Sequence, residues 1–338
     1  MKNNVGLTIL LIISILYTIS GQDLNQTNYR YAPMYLNPAL SGNFAGTGRV
    51  GGGYRDQGRD LLFEGYSTGH VFADVPVSFA LTGGDWAGIG IQAYSDQAGL
   101  LPLTTNGAIL NLAYHLSLNN TQTSILSIGA QYGFIQRKLN QSEIMLKSDY
   151  VDPGVTLSDR DRFLNYSSNY HDINAGIHFK TKFSQSGEFS IGASAYHLLG
   201  TNSKLLPDQN FYDRRLSVYT SVFFAAGKSL FFKPEIIVSK SEEALNIMPQ
   251  FKTFIKLSNK KKNTDLIYAG FGYRVQDAVQ FMFGFNFKKW DIGVAYDVTV
   301  SSAARYNNRK GGLEIGIFKI FEIPQKPKPD PILVCPRI

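Results

Sequence analysis

The sequence predicts an all-β fold, a transmembrane antiparallel β-barrel of the outer-membrane type with about 14 strands. Three observations support this class. Strand-like segments of about nine to thirteen residues recur from Thr47 to Phe321, separated by clusters of Gly, Asn, Asp, Ser and Pro. Several segments alternate apolar side chains with glycine and small polar side chains. After the N-terminus, no stretch stays apolar for the roughly eighteen residues of a transmembrane helix, so membrane insertion has to use strands.

The predicted strands follow one another along the chain. They lie near 47–57, 66–75, 86–94, 105–116, 123–137, 171–182, 188–198, 213–225, 230–238, 245–257, 264–274, 278–288, 289–299 and 312–321. No helical period of any length interrupts this series. We therefore expect one barrel domain over residues 47–321.

The stretch QFMFGFNF at 280–287 shows the alternation clearly. Successive side chains of a strand point to opposite faces, so one face carries Phe281, Phe283, Phe285 and Phe287. A β-sandwich would bury such a face in a dry core, and a single strand does not exclude it. The opposite faces of these segments, however, hold glycine and small residues rather than the lysine and glutamate of an exposed surface. We therefore predict that the four phenylalanines face lipid.

The lengths of the connections give a second test of a barrel. With both termini in the periplasm, connections after odd-numbered strands are extracellular, and outer-membrane barrels keep these loops long and the periplasmic turns short. The predicted bounds place the longest connections after strands 3, 5, 7 and 13, including 138–170. Connections after even-numbered strands are mostly short, as in FSQSGE at 183–188 and AGKS at 226–229. A β-sandwich predicts no such alternation.

Residues 1–21 have the layout of a secretory signal peptide. Lys2 precedes an apolar run over 5–19, and the small residues Ser20 and Gly21 follow it. A membrane anchor is the rival interpretation, but the run has only about fifteen residues against the roughly twenty of a spanning helix. We expect cleavage of this segment and export of the mature chain to the cell outer membrane.

Two irregular segments flank the predicted barrel. Residues 22–46 contain Pro33 and Pro38 without a clear period, and we expect a periplasmic N-terminal segment that is either a linker or a plug folded into the lumen. Residues 322–338 form a Pro-rich periplasmic tail. That tail is either a frayed end or a docking peptide, and the apolar ILV at 332–334 favours docking.

The sequence contains no recognisable enzyme active site. The five histidines are dispersed, and no pair at metal-ligand spacing is joined by a suitable Cys, Asp or Glu. There is no nucleophile elbow and no phosphate loop, and the single cysteine, Cys335, excludes an intrachain disulfide. The acidic residues that could meet in the lumen are Asp85, Asp96, Asp291 and Asp297. We expect no catalytic activity, no cofactor and no metal.

The net charge of +7 and the pI of about 9.2 raise nucleic acid as a partner. The lysines and arginines are scattered through loop-like segments, however, and the one clear cluster, Lys260 to Lys262, occupies a short turn. Export also separates the chain from nucleic acid. We therefore interpret the basic charge as solvated loop charge and expect no nucleic-acid binding.

Several strings, in order along the chain, resemble one family. They are MYLNPALSG at 34–42, GYRDQ at 53–57, GIGIQAYSDQAG at 88–99, AYHLSL at 113–118, LSIGAQYGF at 126–134 and WDIGVAYDVTVSSAARYNNRKGGLEIGI at 290–317. Together they resemble the PorP/SprF family of type IX secretion system outer-membrane proteins of the Bacteroidota. The similarity extends over nearly the whole mature chain. One departure is Gly58, which follows YRDQ where the family leads us to expect an aromatic residue, commonly Trp.

The resemblance implies a barrel that works with the type IX machinery. Its partners would be outer-membrane lipid, a secreted client protein such as a gliding adhesin, and other type IX components in the periplasm. The family's N-terminal motif matches Asn37, Pro38, Tyr54, Arg55, Asp56 and Gln57. Asn-Pro makes a turn, and charged lumen residues often pair across a barrel wall, so a structural role is favoured over direct partner contact.

We therefore predict a non-enzymatic outer-membrane barrel that assists secretion and cell-surface attachment of a type IX client. The client-binding surface would be the outer loops, especially 138–170, or the lumen. The alternative is an outer-membrane channel that passes small solutes or lipids through the same lumen. A third hypothesis is a soluble exported β-sandwich.

Overall fold

The fold is a closed antiparallel β-barrel of 14 strands, which confirms the predicted class. The computed structural model describes residues 26–58, 65–78, 84–98, 103–139, 167–200, 214–241, 244–257, 265–305 and 307–322. The predicted signal peptide, most of the 138–170 loop and the tail beyond Glu322 lie outside the described residues. So do the Lys260 to Lys262 cluster and Cys335.

The strands follow chain order around the barrel. They are β1 (Gly48–Gln57), β2 (Tyr66–Val77), β3 (Trp86–Ala98), β4 (Leu103–Ser117), β5 (Ser124–Leu139), β6 (Ser167–Ser184), β7 (Gly187–Tyr196), β8 (Arg215–Ala225), β9 (Leu230–Lys240), β10 (Leu245–Lys256), β11 (Leu266–Arg274), β12 (Ala278–Phe287), β13 (Trp290–Thr299) and β14 (Lys310–Phe321). The barrel closes where β1 pairs with β14, with Gly48 opposite Phe321 and Gln57 opposite Gly312. Closure leaves no free sheet edge, so the strand backbones are satisfied without water.

The barrel wall is apolar outside and polar inside. On β12, Phe283 points outward and is 59% exposed, while its inward neighbour Met282 and the inward Gln280 are 0% exposed. On β5, the outward Ile128 is 56% exposed, whereas the inward Gln131 is buried. A soluble protein buries its apolar face instead, so this inverted distribution is the one expected of a wall between lipid and a lumen.

The two ends of the barrel differ in their connections. The loop end carries the connections after odd-numbered strands, including the two longest, 140–166 and 197–214. The turn end carries the others, including 185–186 and 288–289. In outer-membrane barrels, long loops are extracellular and short turns periplasmic. The prediction of a long connection after the third strand was wrong, because β3 and β4 extend further than their alternation indicated and leave only 99–102 between them.

Before β1, residues 26–43 lie inside the barrel, and we call them the lumen segment. They form short 3-10 turns at Tyr29–Tyr31 and Pro38–Leu40, with a single-turn helix, α1, at Pro33–Leu36 between them. Two prolines stand at helix starts, where a missing N–H is harmless. No helix in the described ranges is long and apolar enough to cross a membrane.

Candidate functional site

The lumen segment is held at the loop end by a network of charged and polar side chains. This loop-end network consists of Thr27, Arg55, Arg274, Asp297 and Glu314. Arg55 lies 2.7 Å from Asp297 and 3.2 Å from Glu314. The backbone N–H of Thr27 donates to Glu314 at 2.7 Å, and its hydroxyl donates to Asp297 at 2.9 Å. The network therefore joins β1, β11, β13 and β14 to the first described residues of the chain.

The charged side chains of this network are buried and paired with one another. Arg55, Asp297 and Glu314 are 4%, 2% and 3% exposed. Arg274 adds a second cation, which lies 3.2 Å from Asp297 and 2.9 Å from the exposed carboxylate of Asp277. Buried charges are tolerated when they are paired and hydrogen-bonded, and removal of one partner leaves an uncompensated charge. These paired charges therefore hold the start of the lumen segment in a fixed position at the loop end. The alternation of polar and apolar residues in the strands does not by itself specify that position.

In the middle of the lumen, the wall binds the main chain of the segment. The Gln131 side chain donates to the backbone carbonyl of Met34 at 2.7 Å, and the Tyr196 hydroxyl donates to the same carbonyl at 3.3 Å. The Ser194 hydroxyl donates to the carbonyl of Leu36 at 2.8 Å. The 3-10 turns and α1 leave these carbonyls without intrahelical partners. The inward polar face of the strands thus acts as a peptide-binding surface for the chain's own segment.

Glycines in the wall let the segment approach closely. A Cβ on Gly176 would lie 2.0 Å from Oδ1 of Asn37, and a Cβ on Gly129 would lie 2.4 Å from the backbone N of Ala39. Both separations are shorter than any real contact, so a side chain at either position requires the segment to move. The lumen segment therefore occupies the space that side chains at these inward glycine positions would fill.

Asn37 and Pro38 of the family motif lie buried in this cradle. The Asn37 amide donates to the backbone carbonyls of Ile177 at 2.9 Å and Ala193 at 3.1 Å. Its side-chain oxygen accepts from the backbone N–H of Ala39 at 2.8 Å and caps the 3-10 turn that Pro38 begins. The hydrogen bonds of Asn37 are therefore made to other parts of this chain and position the lumen segment.

The YRDQ part of the motif is divided between the two faces of β1. Arg55 points inward and donates to the side-chain oxygen of Gln57 at 2.9 Å. Tyr54 points outward, is 46% exposed, and its hydroxyl lies 3.4 Å from a carboxylate oxygen of Asp56. The structure therefore does not gather the six motif residues into one site. Contact with a partner stays a prediction, and Tyr54 is the motif residue with the most exposed surface.

The predicted lipid-facing phenylalanines all lie on the outside of the barrel. Their exposed fractions are 43% for Phe281, 59% for Phe283, 44% for Phe285 and 50% for Phe287. Their neighbours on β11 and β13 are also exposed apolar side chains, such as Phe271 and Val294. Contact of these four rings with lipid stays a prediction.

The four aspartates do not form an acidic patch. Asp291 pairs with Arg30 of the lumen segment, and Asp297 belongs to the loop-end network. Asp96 accepts a hydrogen bond from the hydroxyl of Thr68. Asp85 lies outside the strands at the turn end. Within the described ranges, no three His, Cys, Asp or Glu side chains come together in an arrangement that could hold a metal ion.

Sequence reasoning did not find a vestibule at the turn end. It consists of two adjoining cavities of about 350 and 480 Å³ beside the lumen segment. Both cavities are lined by Arg30, Glu188, Ser190, Ser221, Lys233 and Phe254. The sequence feature that accompanies the vestibule is a mixture of charged and aromatic side chains on the inward faces of β9 and β10, as in Phe231, Lys233 and Glu235. That mixture does not by itself indicate that the segment leaves this side of the lumen empty.

An apolar outer wall, a polar lumen and closed strand pairing define this protein as an outer-membrane β-barrel whose lumen contains its own N-terminal segment. Residues 18–315 match the family model described as "Type IX secretion system membrane protein PorP/SprF". The chain belongs to the PorP/SprF family, which confirms the resemblance found in the sequence. Family and fold together support an outer-membrane location.

Solved structures with a similar fold are barrels of low sequence identity. The toluene transporter TbuX of Ralstonia pickettii has a TM-score of 0.49 at 9% identity, with 86% of this chain and 94% of that chain covered. The toluene transporter TodX of Pseudomonas putida has a TM-score of 0.46 at 9% identity, with coverages of 88% and 93%. The NanC porin has a TM-score of 0.40 at 11% identity, with coverages of 82% and 100%. No curated protein matches the chain.

Proposed function

We propose that this protein is a non-enzymatic outer-membrane barrel that assists the secretion and cell-surface attachment of a type IX client protein, such as a gliding adhesin. Membership in the PorP/SprF family supports a role in type IX secretion. The observation that carries the proposal is the lumen segment, which is bonded to the wall at the loop end, in the middle and at the turn end. A barrel filled in this way suits holding a partner better than passing solutes.

The proposal includes an orientation in the membrane. Residues 1–21 direct export and are removed, the loop end faces the cell exterior, and the turn end faces the periplasm. The positions of the connections 140–166 and 197–214 support this orientation, because outer-membrane barrels place long loops outside. The client and outer-membrane lipid are the partners on the outer side. Other type IX components meet the barrel from the periplasm.

The client would contact either the loop end or the part of the lumen that the segment leaves open. Tyr54, on the outer face of β1 close to the loop end, is a candidate for the first. Asn37, Pro38 and Arg55 are buried, which favours a structural role for them. Their substitution would act on the client indirectly, through the position of the lumen segment.

Deletion of the gene tests the proposal. We expect one particular large protein to disappear from the cell surface, while uptake of small dyes and antibiotics stays normal. Complementation with the wild-type gene should restore the surface protein, and mass spectrometry of surface-shaved peptides measures it. An unchanged set of surface proteins in the deletion strain would refute the client role.

A channel for small solutes or lipids is the second candidate, and the vestibule favours it because part of the lumen is open space. Planar bilayers distinguish the two functions. A barrel that holds a client should show little conductance, because the lumen segment fills its centre. Steady ion conductance of the purified wild-type protein would favour the channel.

A further inference from the structure

The vestibule wall is arranged in layers across β8, β9 and β10. Phe223 and Phe231 stack with ring centroids 5.5 Å apart, and Phe254 meets Phe223 edge-on at 5.9 Å. Lys256 lies on the turn-end side of this aromatic band, at the last position of β10. Lys233 lies one inward position deeper than Phe231. A ligand that enters from the turn end therefore meets a cation, then aromatic rings, then a second cation.

The vestibule has more cations than anions. Its charged lining residues are Arg30, Arg49, Lys180, Lys233, Lys252, Lys256, Glu188 and Glu235. The two arginines are paired with Asp291 and Asp74. Four lysines then face two glutamates, and Glu235 is shared by Lys233 at 2.8 Å and Lys252 at 2.5 Å. This excess of positive charge next to aromatic rings favours a ligand that combines a carboxylate with an aromatic group.

The lumen wall already binds one peptide, the lumen segment, through hydrogen bonds to its main chain. Wall side chains from β5 and β7 hold main-chain carbonyls of the lumen segment, at 2.7 Å for Gln131 and 2.8 Å for Ser194. The vestibule continues this wall onto β7 and β8, where the hydroxyls of Ser190 and Ser221 lie 2.8 Å apart. A second peptide lying beside the segment would therefore find hydroxyl groups for its main chain as well as the aromatic and cationic groups for its side chains.

We propose that the vestibule binds a peptide segment of the secreted client that carries an aromatic side chain next to a carboxylate. The ring packs against Phe231 and Phe254, and a carboxylate adjacent to the ring pairs with Lys256 on the turn-end side or with Lys233 on the deeper side. Binding occurs from the turn end, which faces the periplasm. This inference rests on the proposed function and adds to it the place and the chemistry of client recognition.

The chain's own C-terminal tail is a competing occupant. Strand β14 ends at Phe321, next to Ile320, which lines the vestibule. Residues 323–338, however, contain no aromatic residue and carry Lys326, Lys328 and Arg337 against one acidic side chain. A basic segment without rings is poorly matched to a basic, aromatic cavity, so the client is the better occupant.

Peptide binding to the purified full-length barrel in nanodiscs tests the inference. The probe is a dye-labelled pentapeptide, Gly-Asp-Phe-Asp-Gly, and the matched control peptide is Gly-Asn-Ala-Asn-Gly. Fluorescence anisotropy should show at least about tenfold tighter binding of the probe, because only the probe offers charge-assisted hydrogen bonds and a ring. Equal affinity of the two peptides would overturn the inference. Free 3-phenylpropanoate should compete weakly, and competition as strong as that of the probe would assign the vestibule to small anions instead.

Three variants locate the binding. The double variant Lys233→Gln/Lys256→Gln should lose about tenfold in probe affinity, whereas Lys319→Gln should lose none. Lys319 is the matched control because it lies outside the barrel at the same end, over the ring of Trp290. Heat-dependent gel mobility verifies folding. If the double variant does not fold, Phe231→Leu, which keeps an apolar side chain, should still weaken binding by about threefold to tenfold. No loss in any vestibule variant would overturn the inference.

Two results distinguish client binding in the vestibule from binding of the chain's own tail and from the proposed function as a whole. Removal of residues 323–338 should leave probe affinity unchanged, and a tenfold gain would assign the vestibule to the tail. If vestibule variants lose the probe but still retain the client at the cell surface, the inference fails and the proposed function stands. If the gene deletion changes no surface protein, the proposed function fails whatever the probe does.

Discussion

The two ends of one lumen use charge in opposite ways. At the loop end, two arginines and two carboxylates are buried together, and Arg55, Asp297 and Glu314 are at most 4% exposed. At the turn end, four lysines and two glutamates line open space, and the side chain of Lys233 is 34% exposed. A polar lumen can therefore be closed by paired, buried charges at one end and left open to a ligand by an excess of positive charge at the other.

The position of the lumen segment explains the difference. At the loop end, its backbone N–H groups and the Thr27 hydroxyl complete the network. At the turn end, the segment leans on β2 and β3, where Gly42 donates to Asp74 at 2.7 Å and accepts from the indole N–H of Trp86 at 3.0 Å.

Deeper in the lumen the segment also contacts β10, where Gln250 donates to the carbonyl of Thr27 at 2.8 Å and Lys252 donates to the side chain of Asn28 at 3.2 Å. Nearer the turn end, the wall around Phe231 and Lys256 lines open space instead.

The largest expected effect comes from breaking the loop-end network. Arg55→Ala leaves Glu314 without its arginine and Asp297 with only Arg274, so the free energy of unfolding should fall by roughly 3–5 kcal/mol. Denaturant unfolding of the barrel in lipid vesicles measures it.

The matched control is an exposed ion pair at the turn end. Lys289 and Glu322 are 2.7 Å apart, but their side chains are 45% and 62% exposed. Lys289→Ala should change the free energy of unfolding by at most about 1 kcal/mol. Equal losses in the two variants would mean that burial at the loop end adds nothing to the pairing.

The next effect separates the outer face of the wall from the lumen. Phe283→Arg places a charge on the outer face of β12 and should cost roughly 2–4 kcal/mol of the free energy of unfolding if that face contacts lipid. Asn286→Arg places the same charge on the inward face at the vestibule and should be tolerated far better. Insertion yield and vesicle unfolding measure both. If the two variants behave alike, the assignment of faces on β12 is wrong.

A smaller effect tests the fit of the lumen segment. In Gly176→Ala the new Cβ displaces Asn37, which loses its two hydrogen bonds to backbone carbonyls, so the segment should be destabilised by about 1–3 kcal/mol. Ion conductance in planar bilayers should then rise above that of the wild type.

Gly48→Ala is the control for this substitution. Its Cβ would meet only a side-chain methyl of Val75 at 3.6 Å, which is an ordinary contact. Conductance of this variant should equal that of the wild type. A rise in Gly48→Ala as large as in Gly176→Ala would show that conductance does not report on the lumen segment.

The barrel could be predicted from the sequence because the features that specify its strands lie within short stretches of the chain. Alternation with period two shows directly in single strands such as 280–287, and turn residues mark their ends. The bounds of β3 and β4 were less predictable, because both strands continue past the residues that alternate clearly.

The site could not be predicted because it depends on contacts between distant residues. The partners of Arg55 are Asp297 and Glu314, on strands that meet β1 or its neighbour only when the barrel closes. The six residues of the family motif indicated a structural role, but their division between cradle, network and outer surface required the register. The vestibule depends on how the lumen segment packs against the inward side chains of β8 to β10, and no local pattern in the sequence specifies that packing.

The smallest expected effect concerns a single exposed carboxylate at the turn end. Asp85 accepts hydrogen bonds from the Tyr114 hydroxyl at 2.7 Å and from the backbone N–H of Ser117 at 2.8 Å, and these hold the pKa of its carboxyl below the ordinary value. A lowered pKa in the folded state adds stability above the unfolded pKa, and this contribution is lost as the pH falls through the folded pKa. Asp85→Asn should therefore lower the unfolding midpoint slightly near pH 7, and this deficit should shrink progressively as the pH falls below about 4. A deficit of the same size at every pH down to the lowest one measured would show that Asp85 acts through its shape and hydrogen bonds rather than through its negative charge.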